Sequence, residues 1–167
     1  LRDLLVAERT LLNYVQRLSG IATLTQQYVA QVADLPCTLL DTRKTTPGWR
    51  MLEKWAVQVG GARNHRIGLH DMVMLKDNHI DLAGGLTEAV HRTEAYLAER
   101  GLHRAVEVEC RSLDDVREAL GLPRVDRIML DNFTPDQCRE AVALNAGRKE
   151  LEASGGITRE TLRSYAE

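Results

Sequence analysis

The stretch RIMLDNFTPDQCREAVALNAGRKELEA, residues 127–153, decides the fold. It opens on a short apolar run that stops at Asp131-Asn132. It passes through a longer helical pattern at 135–145 and returns to a second short run at 149–153. That is strand, helix, strand. Working outward, the same alternation recurs. Short runs at 37–40, 72–75 and 105–108 read as further strands, and 49–59, 86–100, 113–120 and 159–166 read as helices. Ahead of them, Leu4, Leu5, Leu11, Leu12, Val15 and Leu18 fall at helical spacing, and 21–32 continues helical after Gly20. Repeated strand-then-helix order predicts an α/β fold: a parallel sheet, or part of an open barrel, with helices outside. Five such units are visible, whereas a closed eight-unit barrel needs roughly 250 residues.

Composition narrows the class. The chain has 167 residues, enough for one core and too few for two comfortable ones. Hydrophobic residues at 44% and charged residues at 28% are ordinary for a globular protein. A net charge of -2 gives no basic field for nucleic acid, and 4% aromatics are too few for base-stacking platforms. No apolar run approaches the ~20 residues of a membrane span. Residues 1–9 show neither a basic n-region nor a cleavage signal. Cys37, Cys110 and Cys138 are scattered, with no CxxC spacing, which predicts reduced packing thiols in a cytoplasmic protein.

The chemistry is concentrated where each strand ends. Leu40 is followed by Asp41-Thr42-Arg43-Lys44 and Leu75 by Lys76-Asp77-Asn78-His79. The third run carries Glu107 and ends at Glu109, the fourth at Asp131-Asn132, the fifth at Glu152-Ala153-Ser154-Gly155-Gly156. In a parallel α/β protein these ends converge on one face, where active sites are built. Charge at any single strand end is as well explained by solvent; five of five, with both signs, is not. The signs also sort. Arg43, Lys44, His65, Arg66 and Lys76 come first and Glu109 and Asp131 later. Arg binds carboxylates through its planar fork, and Lys offers a point charge to phosphate. Glycine-turn amides ahead of a helix cradle phosphate, and carboxylates take ribose hydroxyls or Mg²⁺. The set fits a polyanionic substrate joined to a phosphorylated sugar. Lys44 or Lys76 alone also fits a Schiff-base lysine of an aldolase-type barrel. Ser154-Gly155-Gly156 alone is a common turn. His65 and His70 lack helical ligand spacing for a built-in transition metal, and Trp49 and Trp55 read as helix-packing residues.

The ordered motifs resemble one family. They are Glu8-Arg9-Thr10 with Leu18-Ser19-Gly20-Ile21-Ala22-Thr23, Asp41-Thr42-Arg43-Lys44-Thr45-Thr46-Pro47-Gly48, and Gly60-Gly61 with Asn64-His65-Arg66-Ile67-Gly68-Leu69. Lys76-Asp77-Asn78-His79, Val106-Glu107-Val108-Glu109, Leu130-Asp131-Asn132-Phe133 and Glu152-Ala153-Ser154-Gly155-Gly156-Ile157 complete the set. In this order, across nearly the whole chain, they resemble the quinolinate phosphoribosyltransferases, a type II phosphoribosyltransferase family. The resemblance implies an open α/β barrel, and phosphoribosyl transfer from phosphoribosyl pyrophosphate to quinolinate with decarboxylation. It implies a homo-oligomer, a dimer or larger, whose active site is shared between subunits, with Mg²⁺ accompanying the phosphoribosyl pyrophosphate.

Carried over residue by residue, the resemblance implies that Arg9 reaches a neighbouring subunit's site to bind a quinolinate carboxylate. Arg43, His65 and Arg66 hold the rest of the dicarboxylate, and Lys44 and Lys76 span both substrates. Glu109 and Asp131 contact the ribose hydroxyls and Mg²⁺, and Ser154, Gly155 and Gly156 bind the 5′-phosphate. Relative to the family, residues 1–167 are a barrel domain truncated at both ends, without the N-terminal α/β sandwich domain and the last barrel strands. With no initiator Met and a helix already under way, the chain reads as a piece of a longer protein. The rival readings are a molybdenum-transport-associated paralogue, which departs from the family at Lys76-Asp77-Asn78-His79, and a non-catalytic anion-binding fragment.

Overall fold

A computed structural model describes residues 2–167, in two units: one runs up to Ile67 and includes Ala166–Glu167, the other is Gly68–Tyr165. The second unit is built on four strands, β1 (Met72–Leu75), β2 (Ala105–Cys110), β3 (Arg127–Asp131) and β4 (Glu150–Ser154). All neighbours pair parallel, in the order β1-β2-β3-β4. This is the expected α/β fold, with four units of the repeat in the sheet.

In a strand, alternate side chains face opposite sides. Val73 and Leu75, Val106, Val108 and Cys110, Ile128 and Leu130, and Leu151 and Ala153 all belong to or pack on one core. Helices α4 (Leu86–Glu99), α5 (Leu113–Leu120) and α6 (Pro135–Asn145) bury Val90, Leu97, Val116, Ala119, Cys138 and Ala141 in the same core. Ile128 and Val116 are fully enclosed, and burying such a side chain stabilises by roughly 1.5–3 kcal/mol. The helices start where their caps say they should. Ser112 Oγ accepts from the Asp115 amide at 3.1 Å, and Thr134 Oγ1 from the Gln137 amide at 3.3 Å. Each such cap contributes about 1 kcal/mol.

The other face of the sheet is charged. Register places Glu107, Arg127 and Glu150 in one row, Glu109, Met129 and Glu152 in the next, and Asp131 beside Ser154. Arg127 donates to Glu150 Oε2 at 2.6 and 2.9 Å and lies 3.4 Å from Glu152 Oε2. Burial by itself pushes the Arg127 guanidinium down. The Glu150 hydrogen bond and the charges of Glu107, Glu150 and Glu152 reverse this and hold it above its ordinary value.

Two elements differ from the sequence expectation. A helix α3 (Asp77–Ala83) follows β1 directly; at 7 residues it is too short to show a period, and Gly84 at φ +93° ends it. The last helix, α7 (Leu162–Ala166), begins three residues later than 159, after a turn in which the Thr158 amide donates to Thr161 Oγ1 at 2.9 Å.

The first unit carries helix α1 (Arg2–Val29), helix α2 (Arg50–Val59) and the segments around them. The helices meet closely at Gly60, where a Cβ would lie 2.5 Å from Thr25 Cβ and 2.6 Å from Ala22 O, so only glycine fits. Trp49 stacks on Tyr14 at 4.5 Å, as a packing residue should. Trp55 does not pack here; it is 58% exposed.

The expected first strand, 37–40, is a correction. It makes only a single parallel bridge, Leu40 with Arg63. The Arg63 amide donates to Leu39 O and the Asp41 amide to Arg63 O, two bonds of a parallel ladder. The next rung needs the His65 amide, and that donor goes instead to the Asp41 side chain, Oδ1, at 2.8 Å. A carboxylate replaces the ladder, and the strand stops.

Candidate active site

Because the four strands are parallel and in register, their C-terminal ends form one edge of the sheet. Lys76 follows β1 and forms the start of α3. Its amide donates to His79 Nδ1 at 3.0 Å, while its carbonyl accepts from the His79 and Ile80 amides. His79 therefore fixes the backbone from which Lys76 projects. The Lys76 Nζ reaches Glu109 Oε2 at 3.1 Å, joining the ends of β1 and β2. Glu109 is buried, and the lysine side chain is about half exposed.

The ends of β3 and β4 are joined differently. Asp131 Oδ2 accepts from Asn132 Nδ2 at 2.9 Å, and the Asn132 amide donates to Ser154 O at 2.7 Å. Asn132 sits at φ +56°, a left-handed conformation that Asn tolerates better than most residues. The turn that follows, Gly155 at φ +103° and Gly156 at φ +62°, is left-handed as well. Two successive positive φ angles make this a tight turn that only glycine adopts without strain.

Asp131 and Glu109 are hard oxygen donors of the kind that hold Mg²⁺ together with substrate phosphates. Glu109 is already charge-paired with Lys76, whereas among the described residues the Asp131 carboxylate accepts only from the Asn132 side-chain amide. The donor set suits Mg²⁺, with Asp131 the better placed ligand.

In the first unit Asp41 joins the two segments that carry the predicted cations. Its carboxylate accepts from Lys54 Nζ at 2.5 Å, Asn64 Nδ2 at 2.6 Å and the His65 amide at 2.8 Å. The segment carrying Arg43 and Lys44 is thereby tied to the segment carrying His65 and Arg66. Lys44 is exposed; Arg43, His65 and Arg66 are half-buried. Arg43 Nε is enclosed and has no hydrogen-bond partner among the described residues. An enclosed guanidinium donor without a partner is costly unless an anion arrives. Arg9 stands on the exposed surface of α1.

So Lys76 pairs with Glu109, Asp131 adjoins Ser154, Asn132 adjoins Gly155, and Arg43-Lys44 is linked to His65-Arg66. The sequence reading left Asp41, Arg127, Asn132, Glu152 and His79 without individual roles. The signal for Arg127 and Glu152 was present: in 107–109 and 150–154 a polar residue recurs at every second position, and Arg127 and Asp131 hold the two ends of the same alternation in 127–131.

Comparison with known proteins adds the family. A family model described as "Quinolinate phosphoribosyl transferase, C-terminal domain" matches residues 21–167. This chain belongs to that family. A nicotinate-nucleotide pyrophosphorylase (carboxylating), chloroplastic, from Arabidopsis thaliana is 49% identical over 173 residues, covering 95% of this chain and 49% of the relative. A Nicotiana tabacum protein named quinolinate phosphoribosyltransferase (decarboxylating) 1b is 47% identical over 174 residues, covering 96% and 49%. Among solved structures, NadC from Streptococcus pyogenes superposes with a TM-score of 0.90 at 45% identity, covering 99% of this chain and 57% of that one. The chain thus spans about half the length of the curated relatives it matches, and its α/β fold is that of the quinolinate phosphoribosyl transferase C-terminal domain. Among the described residues no helix is long and apolar enough to cross a membrane.

Proposed function

We propose that the protein to which this chain belongs transfers the phosphoribosyl group of phosphoribosyl pyrophosphate to quinolinate. The products are nicotinate mononucleotide, pyrophosphate and CO₂, a step of NAD biosynthesis. The observation that carries the reading is the edge of the parallel sheet. There a lysine–carboxylate pair, a second carboxylate and a Ser-Gly-Gly turn with both glycines at positive φ stand at successive strand ends. The membership of the family and the names of the relatives support it, and none of the relatives named above supports the molybdenum-linked alternative.

In this reading residues 1–167 supply the barrel domain. Arg43, His65 and Arg66 bind the dicarboxylate, with the partnerless Arg43 Nε ready for a carboxylate oxygen. Lys44 and Lys76 neutralise charge on both substrates. Ser154, Gly155 and Gly156 take the 5′-phosphate, and Glu109 and Asp131 take the ribose hydroxyls. The ring nitrogen of quinolinate displaces pyrophosphate from ribose C1, and the C–O bond electrons leave with the pyrophosphate. The ring nitrogen becomes cationic and stabilises the electron pair left on the adjacent ring carbon when its carboxylate departs as CO₂; a proton from solvent then bonds to that pair. No general acid–base pair is needed, so orientation and placed charge do the catalysis. Asp131 and Glu109 would hold Mg²⁺ together with the substrate, and the ion would supply charge stabilisation for the departing pyrophosphate.

The protein works as a homo-oligomer, a dimer sharing its sites, with Arg9 serving a neighbour. The compartment is cytoplasmic, a reading supported by three thiols that form no disulfide. The test is to incubate the full-length protein with quinolinate, phosphoribosyl pyrophosphate and Mg²⁺ and to measure nicotinate mononucleotide and CO₂. Equal turnover of nicotinate, which lacks the second carboxylate, or no turnover at all, overturns the reading.

A further inference from the structure

Helix α2 is built inside out. Glu53 and Lys54 are buried at 7% and 2% exposure, while Met51, Trp55 and Val59 are 64%, 58% and 63% exposed. Arg50, Glu53 and Lys54 stand at i, i+3 and i+4, so they share a face. Each of them grips the segment 41–46. Lys54 holds Asp41 at 2.5 Å. Arg50 donates to Arg43 O and to Thr45 Oγ1, both at 3.3 Å. Glu53 accepts from the Thr46 amide at 3.0 Å and its hydroxyl at 2.7 Å, and Arg17 of α1 braces Glu53 at 2.9 Å. None of these bonds uses a side-chain atom of Arg43 or Lys44. The backbone on either side of the two cations is fixed and their heads are left available.

Asp41 extends the clamp to the other cation pair. It accepts from Asn64 Nδ2 and the His65 amide, and Asn64 in turn donates to Lys54 O at 2.9 Å. Stability alone is a poor explanation for such a pair. Asp41 and Lys54 side chains are 9% and 3% exposed, and a buried ion pair is often no more stabilising than apolar residues of similar size. What an ion pair with directional hydrogen bonds does, and an apolar pair does not, is set one position for the groups it joins.

We propose that the inward polar face of α2, through the Lys54–Asp41 pair, is the positioning device that fixes the spacing between Arg43-Lys44 and His65-Arg66. Lys54, Asp41, Glu53 and Arg50 are positioning residues and touch no substrate. The inference rests on the proposed binding of quinolinate by those cations, and it adds the residues that determine specificity for a ring with two carboxylates.

The test compares the full-length parent with Lys54→Met and with the double variant Asp41→Asn/Lys54→Met, which removes the stranded charge. Calorimetry gives the Kd of quinolinate and of phosphoribosyl pyrophosphate. Thermal unfolding gives Tm, and hydrogen exchange reads the Lys44, Thr46 and His65 amides. The double variant is expected to recover Tm relative to Lys54→Met yet bind quinolinate about tenfold more weakly or worse, because misplaced groups lose orientation. Phosphoribosyl pyrophosphate binding is expected to change far less, and the three amides to exchange faster together. Quinolinate affinity that recovers with Tm, or equal loss of both ligands, overturns the proposal. If the parent binds no quinolinate, the function reading fails separately; faster exchange at all three amides then sustains the clamp, and unchanged exchange overturns it.

Discussion

Asn132 occupies the space that a side chain at Gly155 would need. A Cβ built on Gly155 would lie 2.7 Å from Asn132 Cγ and 2.9 Å from its amide nitrogen, with the side-chain oxygen closer still. Gly155 also sits at φ +103°, where side-chain-bearing residues are strained. Strain and collision act together, and relief requires moving Asn132, whose amide holds the β4 end. Gly155→Ala should cost ~1–3 kcal/mol in urea unfolding and should abolish phosphoribosyl pyrophosphate binding. A variant with parental stability and affinity would show that the turn is not a phosphate site.

Lys76→Met removes the partner of a buried carboxylate. The lysine is half exposed, so solvent screens the pair, and the expected stability loss is ~1–2 kcal/mol, between exposed and buried pairs. The Kd for phosphoribosyl pyrophosphate should rise at least ~10-fold, the loss of one charge-assisted contact. Adding Glu109→Gln should restore stability and leave the affinity low; restored affinity would mean that Lys76 serves only Glu109.

Arg66→Ala separates the two substrates. Quinolinate affinity should fall by ~2–5 kcal/mol, the usual cost of removing a charged partner from a site, with phosphoribosyl pyrophosphate nearly unaffected. Equal loss of both would reassign Arg66 to a shared or structural role.

Glu53 predicts an acid limb of stability. Burial pushes its carboxyl up. The hydrogen bonds from Arg17 and from the Thr46 hydroxyl and amide, with the Arg17 charge, outweigh that and hold it below its ordinary value of 4.5. Its contribution is therefore complete above 4.5 and is lost as pH falls through the lowered folded value. The Tm gap between parent and Glu53→Gln should be constant near neutrality and should close on acidification below 4.5. A gap that is independent of pH would contradict the assigned bonds.

Thiol reactivity should divide the cysteines. Burial, then the charges of Asp115, Glu118 and Glu109, push the Cys110 thiol up to about 12. Burial raises Cys138 and Cys37 as well, but Cys138 is enclosed whereas Cys37 is half-exposed. A maleimide should label Cys37 first in the native protein, and Cys110 and Cys138 only on unfolding. Rapid native labelling of Cys110 would mean the sheet core opens.

The parts of this fold legible in the sequence are those set by local pattern. The four strands announced themselves because apolar positions alternate or run together between turns, although the runs read at 105–108 and 149–153 prove to be 105–110 and 150–154; α5 and α6 did so because their periodic runs are cleanly bounded. The end of the pattern at Leu40 was not legible. It depends on the Asp41 carboxylate capturing an amide 24 residues away, a contact that no local window contains. The charged edge was legible as residue types at strand ends; the pairing of Lys76 with Glu109 needed the register. Asn132 escaped notice because its role lies in a left-handed backbone, which the letter N permits but does not demand.

The two-sided sheet described above separates two kinds of mutational load. Residues such as Val106, Val108, Ile128 and Leu130 face the helices, while Glu107, Glu109, Met129 and Asp131 alternate with them on the other side. Neighbours along a strand therefore answer to different selection. Thermostability can be engineered into every second position without entering the electrostatics of the charged edge. Under the proposed function, substrate preference can drift at the intervening positions while the scaffold beneath stays intact.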